Sequence, residues 1–232
     1  MGRKPGLVAN LMISPGASDT SHVSQQLAAE NSAVHQQAEI DYDREVWRKL
    51  LHLFALSIPI GYQFVSRGVA VAVVFACFLV SLLIDLARFR GWSIQRIWDP
   101  VVAPIVRPRE SRNFTGATFI LASGWLCPLL FSLPAATVAM LTIILGDTFA
   151  ALIGRRWGRH RTIGSRSVEG SVAFLAVSFV AVACTPNLPL AAGLTAAPLA
   201  AAVEMFSTRI DDNLSVPLIV GLYAHLALRV FQ

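Results

Sequence analysis

The sequence predicts an all-α protein: a polytopic membrane bundle of about seven transmembrane helices with its N-terminus in the cytosol. Three observations predict it. The 232 residues are 55% hydrophobic and only 14% charged, where a soluble domain carries about 25% charged residues. Apolar runs of roughly 17–20 residues, long enough to cross a bilayer as helices, recur along the chain. Basic residues beside those runs gather on alternate connections, the pattern that marks cytosolic loops.

Residues 1–40 are polar and rich in Ser, Gln, Ala and Gly. They can bury little apolar surface and are expected to form a disordered arm. The stretch RKPGLVANLMISPGAS has a signal-peptide flavour, but its apolar part is short and broken by Asn10. Residues 41–232 are expected to form a single membrane-embedded domain.

Seven spans follow, at 49–65, 68–87, 114–131, 133–153, 168–184, 188–205 and 214–230. The fourth, LPAATVAMLTIILGDTFAALI, is nearly unbroken up to Gly146. The sixth is rich in small residues, which in lipid let helices approach closely. Between the second and third lies RFRGWSIQRIWDPVVAPIVRPRESRN. Its mixture of arginine, tryptophan and apolar residues suits an interfacial segment. Cys77, Cys127 and Cys184 fall inside apolar runs without CxxC spacing and read as small buried hydrophobes.

The net charge is +5, and Lys4 and Lys49 are the chain's two lysines. Fifteen basic residues flank the spans on one side and two, Arg67 and Arg229, on the other. This places the N-terminus in the cytosol and the C-terminus outside. An integral protein of the bacterial inner membrane is expected, its active site facing the cytosol. No nucleic-acid-binding motif is present.

The unusual polar residues collect on that cytosolic side. Polar groups near membrane depth are costly and are functional candidates by default. Arg48, Lys49 and His52 share neighbouring faces of a helix and could clamp phosphates; a plain alternative pairs Lys49 with Glu45. Asp147 ends an apolar run, close to Arg155, Arg156, Arg159, Arg161 and Arg166. It could pair with Arg155 or hold Mg²⁺, which takes one or two carboxylates plus substrate phosphates. Gly146, Ala150, Gly154 and Gly158 recur every four residues and leave one helix face bare, a packing seam or a cradle. Gly158 and Gly164 give the arginine loop a backbone able to wrap an anion, although no P-loop motif is present. Ser167 could cap span five with Glu169 in its first turn, and Asn213 could cap span seven ahead of Pro217. Glu204 and Asp211 are seven apart, hence on one face if the helix continues. With Asp147 and Asp212 they form a carboxylate set suited to metal plus polyphosphate. His225, alone in span seven, reads as structural.

Carboxylates, arginines and glycines at a membrane surface suit a nucleoside triphosphate with Mg²⁺, acting on a lipid that arrives from the bilayer. There is neither a Ser-His-Asp arrangement nor a metal-hydrolase His motif. A transporter is the competing class. Against it, no inverted repeat is visible, and the charges lie at one face, not at the midplane.

The pieces RKLLH (48–52), TGAT (115–118), GDTFAALIGRRWGRHR (146–161), SVEGS (167–171) and EMFSTRIDDNLSVP (204–217) together resemble the polyprenol kinase family: dolichol kinase, phytol kinase and CTP-dependent diacylglycerol kinase. Their order covers nearly the whole chain from about residue 44 to 230. The resemblance implies a membrane-embedded lipid kinase that uses CTP and Mg²⁺ to phosphorylate a lipid alcohol. The polar clusters themselves give the expected catalytic residues, Asp147, Lys49, Arg48, His52, Asp211 and Asp212, and the expected metal ligands, Asp147, Glu204, Asp211 and Asp212. The resemblance further implies CTP binding by Gly146, Gly154, Arg155, Gly158, Arg161, Arg166, Ser167, Glu169, Gly170 and Asn213. Members often carry lysine where Arg166 stands. Phosphatidate cytidylyltransferase shares the Gly-Asp, glycine and Glu-Gly pattern and also uses CTP. It ends in Lys-Asp, His-Gly-Gly and Asp-Arg, whereas this chain ends in DDNLSVP, which ranks the kinase first.

Overall fold

Pro59 and the polar pair Tyr62–Gln63 interrupt what the sequence presents as one span, and the fold breaks there. The computed structural model describes residues 42–43, 45–91, 113–162, 166–207 and 210–231. Residues 45–54 are helical, followed by α1 (Ser57–Gly61). Between them Ala55, Leu56 and Ile58 donate to carbonyls three residues back. The helix thus tightens into a 3₁₀-type turn just before Pro59, whose nitrogen carries no hydrogen to donate. The predicted helix 49–65 is therefore corrected to a jointed crossing.

The remaining helices are α2 (Arg67–Phe89), α3 (Gly116–Leu130), α4 (Leu133–Trp157), α5 (Val168–Ala183), α6 (Leu190–Phe206) and α7 (Asp212–Phe231). Among the described residues there is no strand, only an isolated bridge between Arg161 and Ser167. Three helices, α2, α4 and Asp212–Val230 of α7, are long and apolar enough to cross a membrane, and α3, α5 and α6 are shorter apolar helices. The chain is an all-helical membrane bundle. The expected arm (1–40) and interfacial segment (92–112) lie outside the described residues.

Helix α4 is the axis. Protein covers 61% of its apolar window, against 44% for α7 and 17% for α2. It packs most extensively on α5 and then on α7, while α2 rests mainly on α3. Val138, Ile143, Ile144 and Phe174 are fully enclosed between them. The outward faces of α2 and α7 keep Val73, Val80, Leu83, Leu222 and Leu226 exposed. In a bilayer such residues meet lipid at no cost, which is why an apolar exterior coexists with an apolar core.

The jointed crossing runs antiparallel to α4. Lys49 pairs with Asp147 at one end, and Gln63 Nε2 donates to Thr137 Oγ1 over 3.0 Å at the other. At that second end Arg67 donates to the last carbonyls of α3, Pro128 and Leu129. There His225 has the structural role its isolation suggested: Nδ1 accepts the Ser132 N–H over 3.1 Å. The cysteines are free; Cys127 is buried, but Cys77 and Cys184 are exposed, correcting the expectation that all three are buried.

Candidate functional site

The first polar group sits where the 45–54 stretch crosses α4. The Lys49 ammonium is buried at 3% residue exposure and donates to Asp147 Oδ2. His52 Nε2 lies 3.7 Å from the same oxygen. Spacing of three on a helix puts Lys49 and His52 on one side. Arg48 turns instead to Glu45, whose other oxygen meets Arg155 Nη2 at 2.8 Å. Glu45 therefore pairs with two arginines and not with Lys49, and Asp147 pairs with Lys49 and not with Arg155. Helix α4 runs ten residues beyond Asp147, about 15 Å at 1.5 Å per residue. Asp147 thus stands deeper than the end of a span, and Arg155 and Arg156 belong to the last helical turn, where cations suit the helix dipole.

The second group joins α5, α6 and α7 through Arg166. Its Nε meets Glu204 Oε1 at 2.7 Å and its Nη2 meets Asp212 Oδ2 at 3.2 Å. Its Nη1 donates to the carbonyls of Met205 and Ser207 at the end of α6. A guanidinium fork satisfies four acceptors here, a geometry that one ammonium cannot reproduce. Arg166 is thus engaged with protein groups in this structure.

Helix α6 ends at Phe206. Glu204 and Asp211 are consequently not on one continuous helix, and Arg166 bridges the break. The cap of α7 is Asp211, not Asn213: Asp211 Oδ1 accepts the Asn213 backbone N–H at 3.0 Å and its Nδ2 at 2.9 Å. Pro217 then falls past the first turn of α7. Burial, with help from the Asp212 charge and a smaller effect of Asp147, pushes the Asp211 carboxyl up to about 6.

The glycine seam faces α5. A Cβ on Gly146 would meet the Phe174 ring at 2.7 Å, one on Gly154 the Ser167 Oγ at 2.8 Å, and one on Gly170 the Ala150 carbonyl at 2.8 Å. Gly158 spends its N–H on the Gly154 carbonyl, and Gly170 donates to the Ser167 Oγ that caps α5. Close packing at Gly146, Gly154, Gly158 and Gly170 thus accommodates the seam. The arginine stretch is closed at its stem by Val168 N to His160 O and Thr162 N to Arg166 O, both 2.9 Å. Glu169 holds this stem, accepting from His160 Nδ1 at 2.8 Å. Arg155, Arg156, Arg159 and Arg161 lie exposed along it, and Arg156 stacks over Trp157. Gly164 lies outside the described residues.

Among the described residues, no three His, Cys, Asp or Glu side chains converge as a ready-made metal cage. Asp147, Glu204 and Asp212 are instead tied to cations, and Asp211 accepts from Asn213. Yet Glu204 Oε2, Asn213 Oδ1 and His52 Nε2 are buried with no hydrogen-bond partner among the described residues. Two of the three are hard oxygen acceptors beside Asp212, chemistry that fits Mg²⁺ arriving with a phosphate more closely than a preformed cage.

A further buried acid, outside the expected site residues, is Asp85. It is 2% exposed, and its Oδ2 accepts from Thr115 N, Thr115 Oγ1 and Thr118 Oγ1 at 2.8, 3.1 and 2.7 Å. It fixes the start of α3, the TGAT stretch. The readable signal was an acid inside an apolar run, three residues before Arg88.

The chain is 31% identical over 191 residues to the phytol kinase of Synechocystis sp., covering 75% of this chain and 76% of that protein. It is 27% identical over 135 residues to CTP-dependent diacylglycerol kinase 1 of Schizosaccharomyces pombe, covering 55% of this chain and 61% of the relative. It is 30% identical over 140 residues to the dolichol kinase of Saccharomyces cerevisiae, covering 57% and 26%. The chain thus spans less than two thirds of those last two relatives. No protein-family model matches it. No solved structure matches it either.

Proposed function

This chain belongs to the polyprenol and lipid kinase family, and on that footing we propose that it transfers the γ-phosphate of CTP to the hydroxyl of a membrane lipid alcohol. The observation that carries the proposal is convergence. RKLLH, GDTFAALIGRRWGRHR, the Arg166 that precedes SVEGS, and EMFSTRIDDNLSVP, far apart in sequence, supply Lys49, Asp147, Arg166, Glu204 and Asp212 to two partly buried ion clusters.

Phosphoryl transfer needs mainly positioning and neutralised charge. The lipid oxygen attacks the γ-phosphorus, the bond to the bridging oxygen breaks, and CDP leaves with its electron pair. The hydroxyl proton passes to whichever of the carboxylates Asp147, Asp211 and Asp212 does not hold the metal. Lys49 and His52 orient Asp147 and face the incoming phosphate. The exposed Arg155 and Arg161 suit the polyphosphate, since guanidinium groups match phosphate geometry. Mg²⁺ would neutralise charge on the phosphates; Asp147, Asp211 and Asp212, with Glu204 Oε2 and Asn213 Oδ1, are the oxygens that would hold it. Arg166 keeps Glu204 and Asp212 together in its absence. The excess of fifteen basic residues to two supports a cytosolic site.

The test is membranes containing the protein, incubated with CTP labelled at the α or γ position and a mixture of prenols, phytol, diacylglycerol and phosphatidate. The kinase carries γ label into the lipid phase and leaves α label in water. Transfer of α label, with phosphatidate as acceptor, overturns it in favour of cytidylyl transfer. Transfer of neither label overturns it in favour of a non-catalytic or transport role.

A further inference from the structure

A cavity of about 480 Å³ lies between the 51–65 crossing, α2 and α3, on the far side of the crossing from Asp147. Its walls are apolar except for Ser57 and Tyr62, and the Tyr62 hydroxyl is already donated to the Gly124 carbonyl. Such walls have little to offer a headgroup and suit a hydrocarbon. The cavity is open sideways, because Val69 and Val73 on its α2 wall are 49% and 56% exposed. Toward the basic end its walls are Leu51 and Ala117. His52, the residue after Leu51, faces Asp147. The apolar groove and the charged group therefore occupy two sides of one helical turn.

We propose that this groove holds the apolar tail of the acceptor alcohol, and that it holds one chain of prenol size. The proposal rests on the kinase reading for the fate of the hydroxyl, though not for the binding itself. Its size argument is direct. At about 30 Å³ per water-sized group, 480 Å³ encloses roughly 16 such groups. The wall from Leu51 to Val65 spans fifteen residues, helical at 51–54 and 57–61 with turns between and after them. A single isoprenoid chain of some fifteen to twenty carbons, by the same measure, fills that space. The two chains of a diacylglycerol exceed it.

Two residues make the groove testable apart from catalysis. Cys77 lines it and is exposed. Gly61 lines it, and a Cβ there meets nothing within 4 Å, so a larger side chain enters the groove without a clash. In full-length Cys184→Ser protein, with Cys127 buried, Cys77 is labelled by an apolar maleimide in the presence of phytol, dioleoylglycerol or dioleoylphosphatidylcholine. Phytol is expected to slow labelling at least fivefold, and the two-chain lipids to leave it unchanged. Gly61→Leu is expected to abolish protection by phytol. In the kinase assay it raises KM for phytol severalfold, with kcat and the KM for CTP unchanged. Equal protection by all three lipids overturns the proposal, because the groove is then general lipid-facing surface. Protection by none of them, or full protection in Gly61→Leu, overturns it as well. Protection by phytol in a protein that transfers no label supports the groove and refutes the kinase reading. Label transfer with Cys77 unprotected refutes the groove alone.

Discussion

Lys49 can be buried only because Asp147 reaches it across 98 positions of sequence. Removing one partner of a buried pair leaves an uncompensated charge and costs about 3–5 kcal/mol, whereas replacing both by apolar groups is often neutral. This separates stability from chemistry. Asp147→Asn is expected to lower turnover by at least about 100-fold, the scale of losing one charge-stabilising group, and to lower the unfolding midpoint in detergent. Lys49→Met with Asp147→Leu is expected to recover the midpoint and not the turnover. Recovered turnover in the double variant would remove both residues from catalysis. Arg166 makes the complementary case. Its fork binds two acids and two carbonyls, so Arg166→Lys should leave at least one of them short, at about 1–3 kcal/mol. Thermal unfolding of the variant checks this, and an unchanged midpoint would show that one ammonium suffices.

At the scale of elements, two contacts position the site. The first is the α4–α5 seam. Gly146→Ala drives a methyl into the Phe174 ring, an overpacking expected to cost about 1–3 kcal/mol. Gly61→Ala, which meets nothing, should be neutral or stabilising by up to about 1 kcal/mol. Paired melting curves check the contrast, and equal effects would mean that α5 does not hold the seam as packed. The second contact is the Asp85 cap on α3. Asp85→Ala leaves the Thr115 N–H and two hydroxyls without their acceptor, and is expected to lower stability by about 2 kcal/mol. Asp85→Asn, which keeps one acceptor oxygen, should lose less.

For the whole molecule, orientation is the governing quantity. Fifteen basic residues against two predict that the arginine stretch faces the cytosol. Thr162, in the stem of that stretch, is a suitable reporter. A Thr162→Cys protein with the three native cysteines replaced by serine should react in intact cells with a permeant thiol reagent and not with an impermeant one. Labelling by the impermeant reagent would invert the bundle and move the site away from cytosolic CTP.

The sequence by itself determined the class of fold, because hydrocarbon leaves the backbone few choices and apolar run length alone then reports a crossing. It determined the places of six helices to within a few residues, and which motifs carry charge. Tertiary structure decided everything that depends on who meets whom. Lys49 had Glu45 within helical reach and chose Asp147; Arg166 joined Glu204 and Asp212; the bare glycine face went to α5. A local pattern gives the reach of a side chain, but two candidate partners at equal reach are separated only by the approach of another helix. Where a break such as Pro59 or Phe206 re-aims the chain, the residues beyond it lose the face that periodicity assigned them. The groove has no sequence signature at all, since a residue lining a cavity between helices and one facing lipid are equally apolar.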